Sequence, residues 1–90
     1  MNDNEEPRVT IIVGRVWRSE SSQPERISVL LRAPDDDTAV RMTLEALAGK
    51  GYARAELDQI GELEGAPPDE EPHLSAWQGA LEGEIAIVAI

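Results

Sequence analysis

The sequence predicts an α+β fold, a single four-stranded sheet with two helices in the order β-β-α-β-α-β. Three observations carry that expectation. Short runs rich in Val, Ile and Leu recur four times, two intervening stretches repeat apolar residues at helical spacing, and Pro or Gly punctuates the junctions. Ninety residues supply one core and no second, so residues 8–90 read as a single domain. Residues 1–7 (Met-Asn-Asp-Asn-Glu-Glu-Pro) read as a disordered acidic tail.

The first strand is expected over Arg8–Arg18. It is apolar on both parities, with Val9, Ile11 and Val13 on one and Ile12 and Val16 on the other, and Gly14 inside it marks a bulge or twist. Ser19–Glu25 is a loop by composition. Arg26–Ala33 is the second strand, alternating Ile27, Val29 and Leu31 with Ser28, Leu30 and Arg32, and it closes a hairpin with the first. Pro34 ends the sheet. Asp35-Asp36-Asp37 then starts a helix, because carboxylates accept from its free N–H groups and meet the positive end of its dipole.

That helix runs to about Gly49, with Val40, Thr43, Leu44 and Leu47 as its apolar stripe and Gly49-Lys50-Gly51 as its stop. A third strand follows from Tyr52 to about Leu63, and then an acidic loop over Glu64–Pro72. A second helix spans Pro72–Leu81, with Leu74, Trp77 and Leu81 on one stripe and Gly83 beyond its end. Glu84–Ile90 is the last strand. It is apolar at every position after Glu84, which places it near the centre of a mixed sheet with both helices on one face.

Charge is distributed unevenly. After Arg54 there is no Lys or Arg, yet nine of the eighteen carboxylates lie there, so most of the net charge of −10 falls on residues 55–90. A field of one sign favours basic partners and opposes a polyanion, so no nucleic-acid ligand is expected. Arg8, Arg15, Arg18, Arg26 and Arg32 on the hairpin are instead expected to pair with the protein's own carboxylates or those of a second copy.

Zero cysteines exclude disulfides, thiolate nucleophiles and Cys-based zinc sites. The N-terminus is acidic where a signal peptide would be basic. The longest apolar run, Ile85–Ile90, is far short of the ~20 residues that span a bilayer. These features point to a cytoplasmic protein without a membrane partner. The preference for Arg over Lys suggests a GC-rich, bacterial coding sequence.

No motif brings catalytic, cofactor or metal chemistry. Asp35-Asp36-Asp37 lacks the ligand and the Gly that a calcium loop needs, since Ala39 and Val40 stand there. His73 is the only histidine, and Ser75 would point to another side of its helix. Asp69, Glu70 and Glu71 beside His73 suit a solvated loop and a helix start better than a metal site. Gly49-Lys50-Gly51 follows a helix, whereas a phosphate loop precedes one.

These observations point to a non-catalytic acidic protein-interaction module, an adaptor or regulatory partner of a basic surface. Its acidic surface is expected from Glu56, Asp58, Glu62, Glu64, Asp69, Glu70 and Glu71. An apolar sheet face of Ile12, Val16, Leu30, Val88 and Ile90 is expected to make a homodimer. Two alternatives stand beside it: a small-molecule or enzymatic cleft near Trp17, Tyr52 and His73, and a polyanion mimic whose late carboxylates form one stripe. The net charge yields a first prediction. Salt screens self-repulsion, so the melting temperature rises between low salt and about 0.3 M NaCl. A steady fall in thermal unfolding followed by circular dichroism would show that attractive ion pairs dominate instead.

Overall fold

A computed structural model describes residues 8–64 and 71–90, with the side chains of Arg8 and Glu64 outside that description. The expected tail over residues 1–7 and most of the acidic loop therefore lie outside the described residues. The element order is as the sequence indicates: β1 (Arg8–Trp17), β2 (Glu25–Leu31), α1 (Asp36–Gly49), β3 (Arg54–Glu64), α2 (His73–Leu81) and β4 (Ala86–Ala89).

The strands form one sheet in the order β3-β1-β2-β4. Every neighbouring pair is antiparallel, so the sheet is not mixed, and β4 lies at an edge rather than the centre. β2 and β3 do run parallel to each other, but β1 lies between them. The connection through α1 crosses over β1, and the one through α2 crosses over β1 and β2.

Register decides which residues share a face. Ile12 stands opposite Val29 on β2 and Ile60 on β3, while Ile11 stands opposite Leu30 and Gly61. One face therefore carries Ile12, Val16, Ile27, Val29 and Leu31, all buried, with Ala39 and Leu47 of α1 packed on them. The other carries Val9, Leu30 and Val88, against which Ala76 and Ala80 of α2 pack. The helices thus cover opposite faces in three layers. The expectation of both helices on one face fails because the core strands are apolar on both sides. Each large aliphatic side chain, fully buried, contributes about 1.5–3 kcal/mol, so neither face is left to water.

The helices use narrower stripes than the sequence suggests. On α1 the buried residues are Ala39, Thr43 and Leu47, whereas Val40 is half-buried and Leu44 is exposed. On α2 the buried residues are Ala76 and Ala80, with Leu74, Trp77 and Leu81 half-buried around them. Two alanines at i and i+4 let the helix approach the sheet closely, which a Trp-Leu ridge would prevent. Arg32, one residue past β2, donates to the Leu81 carbonyl at 3.4 Å and so places a cation at the negative end of α2.

The start of α1 is capped as its acids indicate. Asp35 is extended, and its Oδ1 accepts from the Thr38 backbone N–H at 2.7 Å. That bond holds the Asp35 carboxyl below its usual range, with the Thr38 side chain adding to the effect. Gly14 marks an irregularity as expected, but the extra residue lies on β3. Val13 pairs with Gln59 and Gly14 with Leu57, leaving Asp58 between them. The Glu56 carbonyl is thereby brought against Gly14, where a Cβ would collide with it.

Two predictions follow from these contacts. Gly14→Ala forces the β3 backbone aside and costs about 1–3 kcal/mol. Gly61→Ala, whose Cβ would meet only the Ile11 side chain at 3.9 Å, leaves the denaturant midpoint nearly unchanged. Equal midpoints for the two variants would refute the close approach. The second concerns acid. Because the Asp35 carboxyl is held low, its contribution is complete above the unfolded-state pKa and is lost as pH falls through the folded value. Asp35→Asn therefore melts below the wild type at neutral pH, and the gap closes in acid. A gap independent of pH would mean that the charge contributes nothing.

Candidate functional site

The second sheet face is covered unequally. α2 packs on Val9, Leu30 and Val88, and the residues packed at the margin of that cluster include Ile11 and Leu63. The opposite end of the same face, from Val13 towards Trp17, carries a set of charged and aromatic side chains instead. Arg15 stands opposite Glu56 on β3 and Arg26 on β2, and Trp17 stands opposite Arg54.

Trp17 is the centre of this set. The Arg54 guanidinium lies 4.6 Å from its ring centroid and the Arg15 guanidinium 5.8 Å. Both distances are within cation–π range. Each of those cations is in turn held by acids. Arg15 donates through Nε and Nη2 to the two carboxylate oxygens of Asp58, at 3.2 and 3.1 Å, and through Nη2 to Glu56 at 2.9 Å. Arg54 pairs with the other oxygen of Glu56. The β3 bulge makes the forked contact possible, because the extra residue lets Asp58 join Glu56 beside the same guanidinium.

The hydrogen bond and attraction from Asp58 hold the Arg15 guanidinium above its usual range, with Glu56 adding to them. It is cationic at every working pH. The pairs are partly solvent-exposed, so their contribution to stability is small. What they supply is position, a half-buried Trp17 flanked by two fixed cations.

Beside this cluster lies a shallow depression of about 390 Å³ lined by Ile11, Val13, Gln59, Ile60 and Gly61. Gly61 leaves the room, since no side chain fills the position opposite Ile11. The lining contains no titratable group.

The remaining site residues fall in several places. Glu62 is exposed on β3 and faces the α1 side of the sheet through its pairing with Thr10. Glu71 is exposed, and its Oε1 accepts from the Ser75 backbone N–H at 3.1 Å, so it caps α2. Asp69 and Glu70, and the side chain of Glu64, lie outside the described residues. Of the apolar set expected at a dimer face, Ile12, Val16 and Leu30 are fully buried and Val88 is 8% exposed, while Ile90 is 54% exposed. Ile12 and Val16 lie under α1, and Leu30 and Val88 under α2, so four of the five belong to the core.

Trp17, Tyr52 and His73 are not brought together. Tyr52 packs on the α1 side with the Arg18 guanidinium 5.6 Å above its ring. Trp17 is on the other face, and His73 is the first residue of α2. Among the described residues, no group of three His, Cys, Asp or Glu side chains is placed to hold a metal ion, and no helix is long and apolar enough to cross a membrane.

The sequence did not single out the Trp17–Arg54–Arg15 arrangement. Its signal was the alternation Arg15-Val16-Trp17 against Arg54-Ala55-Glu56, legible only once these two segments are known to pair. Comparison of the chain with family models, curated proteins and solved structures gives no match. The fold and site therefore define it only as a small three-layer α+β domain with an aromatic–arginine cluster on one sheet face.

Proposed function

We propose that this protein is a non-catalytic interaction module, an adaptor or regulatory partner that engages a basic protein through the Trp17 end of its second sheet face. The observation that carries this reading is the half-buried Trp17 flanked by Arg54 and Arg15, which pair with Glu56 and Asp58. Trp and Arg dominate the binding energy of protein interfaces, and fixing an aromatic before contact lowers the ordering cost of binding. The net charge of −10 acts at longer range and favours encounter with a basic surface. Glu62, exposed and without an ion pair among the described residues, adds to that field. A cytoplasmic setting, supported by the lack of cysteine, belongs to the same reading. So does self-association, through a different surface from the apolar face expected.

The test is capture of partners from native lysate at low salt, followed by a salt gradient, with wild type and Trp17→Ala compared. Because Trp17 is only half-buried, the variant keeps its fold by circular dichroism. It loses the captured species, which elute from wild type as salt rises. Identical capture by both proteins, or retention through high salt, would overturn the reading.

A further inference from the structure

We propose that β4 is a self-association edge, through which two copies join across a two-fold axis into a continuous eight-stranded sheet. The sheet has two outer strands, β3 and β4, and the chain treats them differently. β3 carries Glu56, Asp58 and Glu62 along its length and is interrupted by the bulge at Asp58. Charge and bulges are the devices by which proteins block strand addition at an exposed edge. β4 has neither. From Ile85 to Ile90 it holds no charged residue and no proline, and its pairing with β2 is regular.

The direction of its hydrogen bonds follows from one contact and the register. Ile90 donates to the Arg26 carbonyl at 3.0 Å, and Val88 and Ala86 stand two and four residues before it, opposite Ser28 and Leu30. In an antiparallel ladder the bonded positions alternate. Ile87 and Ala89 therefore turn their N–H and C=O groups away from β2, towards the open side. Ile85, Ala86 and Ile87 remain only half-buried in the single chain, and Ala89 and Ile90 are exposed. Backbone groups and apolar side chains are thus both left incomplete along the same edge.

A second copy of this chain fits that edge better than a foreign strand, because the charges flanking it are self-complementary. Pairing Ile87 with the partner's Ile87 sets Ile85 against the partner's Ala89, and brings Glu84, which precedes β4 and donates its N–H to the Gly79 carbonyl, towards the partner's Ile90. Of these, Ile85, Ile87 and Ala89 have the parity whose backbone groups face outward, whereas Ile90 is bonded to Arg26. Arg26 lies one strand further in, beside Ile90 and on the same face as Glu84. It is exposed, stands opposite the like charge of Arg15, and has no ion pair among the described residues. In the dimer the partner's Glu84, which rests against Gly79 in the single chain, comes to about two strand spacings, ~10 Å, from Arg26, and turning its side chain from Gly79 brings it within the joint reach of a Glu and an Arg side chain. The antiparallel arrangement makes this contact twice. A foreign strand would need an acid placed at that one position to do the same.

The proposal is tested by sedimentation equilibrium up to high micromolar concentration. Wild type is expected at twice the chain mass of 9.8 kDa. Ala89→Pro removes an outward donor without touching the β2 ladder, and Ala89→Lys places a cation on an exposed position of the edge. Both are expected to sediment as monomers with native circular dichroism. If Ala89→Pro fails to fold, Ala89→Lys decides, since its side chain reaches only solvent. Glu84→Arg should weaken the dimer about tenfold, and adding Arg26→Glu should restore it. A wild-type protein that stays monomeric, or Ala89 variants that remain dimeric, would overturn the proposal. So would a charge swap that restores nothing. None of these outcomes depends on Trp17, so failure here leaves the interaction reading of the other sheet end intact.

Discussion

The whole architecture depends on the central strand pair having two apolar faces. β1 and β2 bury Ile12, Val16, Ile27, Val29 and Leu31 on one side and Val9 and Leu30 on the other. A sheet of that composition cannot leave either face to water, so each needs its own cover. With two helices among the described residues, one goes to each side. The crossover between the parallel, non-adjacent strands β2 and β3 carries α1 over one face, and the return from β3 to β4 carries α2 over the other. Both coverings place small or short side chains at the contact, Ala39 and Thr43 on one helix and Ala76 and Ala80 on the other.

The same arrangement creates the open sheet end. α2 is nine residues long, about 13 Å at the helical rise, whereas β1 is ten residues long and spans about 33 Å. A helix of that length leaves part of the strand uncovered, and there the residues change from aliphatic to Arg and Trp. The β3 bulge then sets the fine geometry. By admitting one extra residue it gives Arg15 two carboxylates instead of one, and it makes Gly14 necessary where the two backbones meet. One backbone irregularity thus fixes both a core contact and the surroundings of the aromatic anchor.

Much of this was legible in the residues. The six elements and their order follow from local patterns such as the alternation in Ile27–Leu31 and the acids before Thr38, which act over a few residues. The pairing of hairpin arginines with the protein's own acids also followed from charge alone, and Arg15 and Arg18 do so. What was hidden is long-range. A run such as Ile85–Ile90 reads as a central strand because it is apolar throughout, yet β4 is an edge. Likewise, Ile12 and Val16 read as a spare face only while β1 is out of register with β2. One position of slip moves every side chain to the opposite face, and the sequence holds no local marker of it. The α1 stripe was offset for a similar reason, since Leu44 fits the period but points away from where the sheet lies.

The bulge on β3 has one more consequence, for behaviour at high concentration. A flat sheet open on both sides is a monomer of a polymer, because each added strand regenerates the surface that accepted it. Here the extra residue interrupts the β3 ladder and the carboxylates around it charge that edge, two features that oppose strand addition there. If β4 pairs as proposed, a chain with one open edge joins one further copy about a two-fold axis, and the series stops at the dimer. Pairing of that kind would keep the apolar rim strand out of fibres.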